Sequence, residues 1–218
     1  MGQRPPAEPS AYQREQLETL VVVRRHLAQL GPAGQARLRR QAAPYLALRA
    51  EMAAFLTAHF SETCSVTCFS NRVSACCSRD GIITFFADVV LNVLVSGEAQ
   101  LDRLQNLLTR PHLGAKCVYL GPRGCCWRLK PVVCERFLCD SAQRQVFGRR
   151  PSLADAWETL KKRTSAFTWP DRPILFDRLE QEFIDAGLSS SLMYLHQSPG
   201  LLRVKRRARK AAADSSEI

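Results

Sequence analysis

The sequence contains none of the short patterns that mark the commonest enzyme active sites. It has no glycine-rich phosphate loop, no HExxH metalloprotease motif and no GxSxG nucleophile turn. No internal repeat of solenoid length occurs either. These absences argue against an enzyme and against a repeat protein, but they leave enzyme activity of another kind open.

A long apolar run is also missing. The best candidate, residues 82–95, is shorter than the ~20 apolar residues that a membrane-spanning helix needs, and it contains Asp88 and Asn92. The first ten residues are polar and rich in proline, which does not match a secretory signal. We therefore expect a soluble, cytoplasmic protein that does not insert into membranes.

Cysteine is absent from both ends of the chain and concentrated in its middle. The 218 residues include nine cysteines, all between positions 64 and 139. In a reducing compartment such a cluster is typical of metal ligands or redox thiols, and nine cysteines leave one unpaired in any disulfide scheme. Residues 117–139 contain no histidine, so soft all-sulfur coordination of zinc, iron or an iron–sulfur cluster is predicted. The candidate ligands are Cys64, Cys68, Cys76, Cys77, Cys117, Cys125, Cys126, Cys134 and Cys139.

The nine cysteines form two groups with different spacing. The first is C-x3-C-x7-CC and the second, roughly 40 residues later, is C-x7-CC-x7-C-x4-C. Metal bound by both groups would close a long loop, so binding would also hold the fold together. Adjacent cysteines point in different directions on an extended backbone. Either one member of each adjacent pair is a ligand, or the pairs bridge two neighbouring sites.

The second group carries a recognisable motif. Val-Tyr-Leu follows Cys117, Lys-Pro precedes Val-Val-Cys134, and the run ends in Cys-Glu-Arg-Phe-Leu-Cys139. Together with Cys76-Cys77 and the segment that leads to Asp88, it resembles the YkgJ-type cysteine-cluster family over about residues 64–139. The resemblance implies a zinc- or iron-chelating unit without a defined biochemical role. This chain differs in its looser first group, in Lys130 before the proline and in the extra Cys126, and Cys76 and Cys126 rank behind the other seven cysteines as ligands.

Other residues near the cysteines have open roles. His59 and His112 are candidate extra ligands, although surface positions are favoured for both, and His26 has the character of a structural residue. Asp88 fits either a residue that orients the site or an exposed helix-face carboxylate, and the second is favoured. The positive charges of Lys130, Arg128 and Arg136 either offset thiolate charge or form a solvated patch. The aromatic residues expected to pack around the site are Tyr119, Trp127, Phe137 and Trp169.

The apolar periodicity predicts a mainly α protein in which helices flank a loop-rich cysteine unit held together by metal. Residues 11–30 predict a helix that stops at Gly31-Pro32, and residues 33–60 continue helically with a break near Pro44. Residues 61–81 lack periodicity and are expected to be irregular. Further helices are predicted from residue 82, at 99–108, 152–162 and 171–187, and a short strand at 117–120.

We divide the chain into four parts. These are a helical N-terminal segment (1–60), a cysteine-cluster domain (61–140), a helical C-terminal segment (141–200) and a basic flexible tail (201–218). The net charge of +11 is concentrated toward the two ends. A nucleic-acid protein usually carries its positive charge on a folded face, so nucleic acid is not a favoured partner.

A metal-binding protein is the leading functional hypothesis, with a metal ion or cluster as its ligand and a protein partner left open. An iron–sulfur or thiol oxidoreductase, or a metal-dependent modifying enzyme, is the first alternative. A zinc-stabilised module that binds nucleic acid or a partner through residues 203–210 is the second.

Overall fold

The computed structural model describes residues 8–74, 76–78, 83–168, 174–194 and 198. The basic tail, Trp169 and residue 82 lie outside these ranges, so the predictions made for them are not addressed by the structure. Within them, the prediction of a mainly helical protein is confirmed. The elements are α1 (Ala11–Phe60), a π-helix (Ser61–Phe69), α2 (Phe86–Val95), α3 (Glu98–Leu108), β1 (Leu120–Gly121), β2 (Gly124–Cys125), α4 (Val132–Arg136), α5 (Asp140–Phe147), α6 (Pro151–Thr168) and α7 (Leu175–Asp185).

The long helix α1 is bent once. It begins with a capping box, in which the Ser10 hydroxyl accepts from the Gln13 backbone N–H and the Gln13 side chain accepts from the Ser10 N–H. Gly31 has φ 64° and ψ −175°, a conformation that is essentially restricted to glycine, so the predicted stop is a bend after which the helix resumes. The break expected near Pro44 is wrong, because the backbone there stays helical. Burial of the residues that follow Pro44 offsets its missing hydrogen bond.

Residues 61–69, which we expected to be irregular, form a nine-residue π-helix that continues from α1. Such i→i+5 turns are rare and are frequently found at functional sites. This one carries Cys64 and Cys68. The prediction failed because none of the residues of this π-helix is buried, so no buried face imposes an apolar pattern on the sequence.

The core is built around α2, which is buried on all sides from Phe86 to Leu94. It contacts α1 and α7, and α1 also contacts α3, α5 and α6. Aromatic rings pack between these helices. The ring centroids of Phe86 on α2 and Phe183 on α7 are 4.9 Å apart, and those of Tyr45 on α1 and Phe176 on α7 are 5.6 Å apart. The two-residue strands β1 and β2 form an antiparallel hairpin. No helix in the described part of the chain has the length and apolarity to cross a membrane.

His26 is buried in this core, as expected for a structural residue. Its ring lies 4.5 Å from that of Phe183, and its Nε2 atom has no hydrogen-bond partner among the described residues. Burial lowers the pKa of the imidazole, and the nearby Glu182 opposes that shift only in part. The folded protein therefore holds His26 neutral and resists its protonation.

We predict that in His26→Phe the free energy of unfolding falls less than in the wild type when the pH is lowered. The unfolded chain binds the His26 proton at a pKa of about 6.5, higher than in the folded state, so the wild-type free energy of unfolding falls as pH drops below that value. Urea midpoints measured between about pH 5 and about pH 7.5 should fall less steeply for the variant. Leu113→Ala, which changes an exposed side chain without an ionisable group, should keep the wild-type slope. An unchanged slope in His26→Phe would contradict this role.

Candidate metal centre

The two cysteine groups meet in space. Ser78 and Lys116 form an isolated antiparallel bridge, and the Cys117 backbone N–H donates to the Cys77 carbonyl over 3.0 Å. The Lys116 ammonium group also donates to the Val73 carbonyl at 2.5 Å. These bonds fasten the chain just before the second group to the end of the first.

The segment between the π-helix and Cys76 adopts an unusual backbone. Arg72 and Ser74 have φ angles of 60° and 39°, in the left-handed region where residues other than glycine are uncommon. Such a conformation costs roughly 1–3 kcal/mol per residue and persists only where neighbouring contacts impose it. Here the Cys68 carbonyl accepts from the N–H groups of Val73 and Ser74. The strained turn directs the chain back toward the π-helix immediately before Cys76 and Cys77.

Four thiols form one set of electrostatic neighbours around the π-helix. Burial, with smaller contributions from Cys76, Cys139 and Cys68, raises the pKa of the Cys64 thiol to about 11. Cys76 is exposed, and it is hydrogen-bonded to Cys77. That bond raises the pKa of Cys76 and lowers the pKa of Cys77.

A second set of four thiols lies on the other side of that bond. Burial, with smaller contributions from neighbouring thiols, raises the pKa of Cys117 to about 12 and that of Cys134 to about 11. The neighbours of Cys77 are Cys117, Cys125 and Cys134. Three separate pieces of chain therefore supply this set, namely the residues after the strained turn, the segment from Cys117 through the β-hairpin, and α4.

The adjacent cysteines of the hairpin differ in their surroundings. Cys125 belongs to the second set, whereas the Cys126 sulfur lies against the hairpin turn, 3.1 Å from where a Cβ at Gly121 would stand. The backbone of Cys126 is fixed at both ends, since its N–H donates to Tyr119 and its carbonyl accepts from the Gln100 side chain. Of this pair, Cys125 is therefore the one placed with other thiols.

Backbone N–H groups point at two of the sulfurs. The Tyr119 N–H donates to Cys117 Sγ over 3.4 Å, and the Leu120 N–H also favours the Cys117 thiolate. The Trp127 N–H does the same for Cys125. Burial raises the pKa values of both thiols. These hydrogen bonds lower the same pKa values, because a hydrogen bond to the thiolate stabilises the charged form.

Lys130 supplies positive charge to both sets. Its ammonium group opposes the rise that burial and neighbouring thiols impose on the pKa values of Cys64, Cys125 and Cys134. Lys130 itself is exposed, so its ammonium group is solvated while it acts on these thiols.

The thiols do not close around a metal position in this structure. Among the described residues, no group of three or more His, Cys, Asp or Glu side chains is arranged to hold a metal ion. All nine cysteines are free. Neither His59 nor His112 is placed as a ligand, since His112 Nε2 bonds the Lys116 carbonyl and the His59 ring packs edge to face against Phe55. A unit held together by metal therefore stays a prediction.

Asp88 is buried, and the favoured interpretation of it as an exposed carboxylate is wrong. It is 1% exposed, and its Oδ1 accepts from the Val132 N–H over 3.0 Å while Oδ2 accepts from the Phe85 N–H. One turn further along α2, Asn92 Oδ1 accepts from the N–H groups of Arg128 and Leu129 at 3.0 Å each. These two side chains anchor the segment between Cys125 and Cys134.

A second anchor of this segment, Arg49, was missed by sequence analysis. Its side chain is fully buried and donates to the Glu135 carboxylate, to the Tyr45 hydroxyl at 2.6 Å and to the Lys130 carbonyl at 2.6 Å. Glu135 is the residue directly after Cys134. The only sequence signal is an arginine beside Leu48, on the apolar face of a helix, where an unpaired charge is unfavourable.

The aromatic residues divide into two kinds. Trp127 and Tyr119 are buried and pack edge to face with their centroids 5.4 Å apart, as expected. Phe137, between Cys134 and Cys139, is 54% exposed instead of packed. It turns outward because α4 ends at Arg136 and the backbone becomes extended at Phe137.

We predict that Arg49→Met destabilises the protein by about 3–5 kcal/mol, because it leaves the Glu135 carboxylate buried without its partner. Arg49→Met/Glu135→Leu removes both charges and should recover much of that loss. Urea denaturation under reducing conditions measures both effects. Arg163→Ala, which breaks an exposed ion pair with Glu51, should leave the midpoint almost unchanged. Equal midpoints for Arg49→Met and Arg163→Ala would show that the buried pair is not a main anchor.

Comparison of this chain with protein-family models, curated proteins and solved structures finds no match. The resemblance to the YkgJ-type family therefore depends on the motif residues alone.

Proposed function

We propose that this protein binds zinc or iron through cysteine thiolates, in line with the resemblance of its motif. The observation that carries the proposal is the set formed by Cys77, Cys117, Cys125 and Cys134. These residues come from three pieces of chain, and each piece is fixed by backbone bonds that do not depend on metal.

The chemistry of this set suits a soft cation. Partly buried thiols whose charges repel one another resist ionisation individually, whereas a bound cation stabilises all of the thiolates together. Four thiolates match the ligand number of a structural zinc site or an iron–sulfur cluster. The N–H groups directed at Cys117 and Cys125 and the ammonium group of Lys130 reduce the remaining negative charge. Because the thiols must lose protons to bind, affinity should rise with pH.

Most neighbours of each thiol belong to its own set, which favours two sites over one, and Cys76 also lies near Cys134 of the other set. Cys64, Cys68, Cys76 and Cys139 make up the first set, and the hydrogen bond between Cys76 and Cys77 joins it to the second. Adjacent cysteines would thus serve different sites, which is one of the two arrangements that their spacing permits. Metal in both sites would clamp the π-helix, α4 and the hairpin together.

Thiol redox chemistry is the second candidate function. The observation that favours it is the exposed Cys76, whose bond lowers the pKa of Cys77. A lowered pKa increases the thiolate fraction and with it the reactivity of a cysteine. Metal-free folded protein in which Cys77 reacts with iodoacetamide faster than the other cysteines would support this function instead.

We predict that anaerobically purified protein contains metal and that Cys77→Ser loses most of it. Elemental analysis and a visible spectrum separate colourless protein with zinc from brown protein with iron and sulfide. Cys126→Ser is the matched control, since its sulfur lies against the hairpin turn, and it should keep the wild-type metal content.

Circular dichroism should show that both serine variants remain helical before their metal contents are compared. If the wild-type protein holds neither metal after anaerobic reconstitution, and all nine thiols titrate freely in the folded state, the proposal is wrong. If Cys126→Ser loses as much metal as Cys77→Ser, the assignment of the second set is wrong.

A further inference from the structure

A cleft of about 470 Å³ lies beside the π-helix. Its walls are the end of α1, the π-helix, α5 and the start of α6. The volume falls within the range of small-molecule sites, roughly 300–1,000 Å³. The polar residues that line it are His59, Glu62, Thr63, Thr67, Gln145, Arg149 and Arg150.

Positive charge dominates the cleft. Arg149 and Arg150 are adjacent in sequence, and within the part of the chain that the structure describes neither forms an ion pair. Two neighbouring guanidinium groups repel each other, and an anion between them would relieve that repulsion. Helix α6 begins at Pro151, directly after Arg150, so the positive end of its dipole adds to the same field.

The turn that holds these arginines is tightly constrained. Gly148 is the C-cap of α5, and a Cβ at that position would lie 2.5 Å from the Arg144 carbonyl. Only glycine allows this close approach. The Arg150 N–H then donates to the carbonyls of Val146 and Phe147. Both guanidinium groups therefore project from a fixed backbone.

The opposite wall supplies hydroxyl groups at a regular spacing. Thr63 and Thr67 are four residues apart on the π-helix, whose i→i+5 bonding brings residues four apart close to the same face. Hydroxyls donate to anions, and arginine forks fit phosphate in a bidentate manner. Two guanidinium charges match a dianionic phosphate group better than a singly charged carboxylate.

We propose that this cleft binds a small molecule that carries a phosphate group, with Arg149 and Arg150 as its main contacts. Glu62 also lines the cleft and opposes an anion there. The site is separate from the proposed metal sites but shares the π-helix with them, because each threonine directly precedes one of the cysteines Cys64 and Cys68.

The test is calorimetric titration of the full-length protein with inorganic phosphate at constant ionic strength, with acetate as the carboxylate probe. We expect saturable binding of phosphate and much weaker binding of acetate. Arg149→Gln/Arg150→Gln should weaken phosphate binding at least about tenfold. Glu62→Gln should tighten it, by about threefold. Arg103→Gln changes an exposed arginine on α3 outside the cleft and should leave the affinity unchanged.

The double arginine variant and Glu62→Gln are expected to change the phosphate affinity in opposite directions, so a general loss of folding cannot produce both results. Glu62→Gln tests the site even if the double arginine variant does not fold, and metal content measured in the same samples shows whether metal binding has failed separately. Absence of saturable phosphate binding, equal binding of acetate, or no tightening in Glu62→Gln would overturn the proposal.

Discussion

The buried guanidinium group of Arg49 is the contact on which the cysteine-rich region depends most. It joins the second half of α1 to the Lys130 carbonyl and to Glu135, and so fixes both ends of the turn that leads into α4. A buried charge is tolerated only when its hydrogen-bonding capacity is filled, and three acceptors from two parts of the chain do this here. The position of Cys134 therefore follows from a residue that lies far from it in sequence.

Helix α2 provides the complementary support from the inside of the core. Its Asp88 and Asn92 each accept two backbone N–H bonds, and three of these four bonds go to residues 128–132. An irregular segment has few backbone partners of its own, and buried N–H groups require acceptors. The Asp88 and Asn92 side chains accept the backbone hydrogen bonds that a neighbouring strand would accept in a sheet. The cysteine-rich segment can thus be ordered with little regular secondary structure.

Periodicity was enough to predict most of the helices but not the surroundings of the site. Residues 11–30, 99–108 and 152–162 are helical as predicted, because a single apolar face meets a single core. The burial of Asp88 was not predictable in this way, since its partner Val132 lies 44 residues further along the chain. Arg49 was missed for the same reason, and the π-helix because no buried face imposes an apolar pattern on it. The glycines at 121 and 124 predict the hairpin turn, which is present, but the different surroundings of Cys125 and Cys126 depend on contacts that the sequence does not show.

The π-helix has a geometrical consequence for the region around it. Its sequence repeats Thr-Cys at an interval of four residues, and its wide turn keeps the two threonines together and the two cysteines together. An interval of four residues is slightly less than one turn of a π-helix and slightly more than the roughly 3.6-residue turn of an α-helix, so each pair lies near one face. A single-residue deletion between Cys64 and Thr67 would therefore rotate Thr67 away from Thr63 and Cys68 away from Cys64 at the same time.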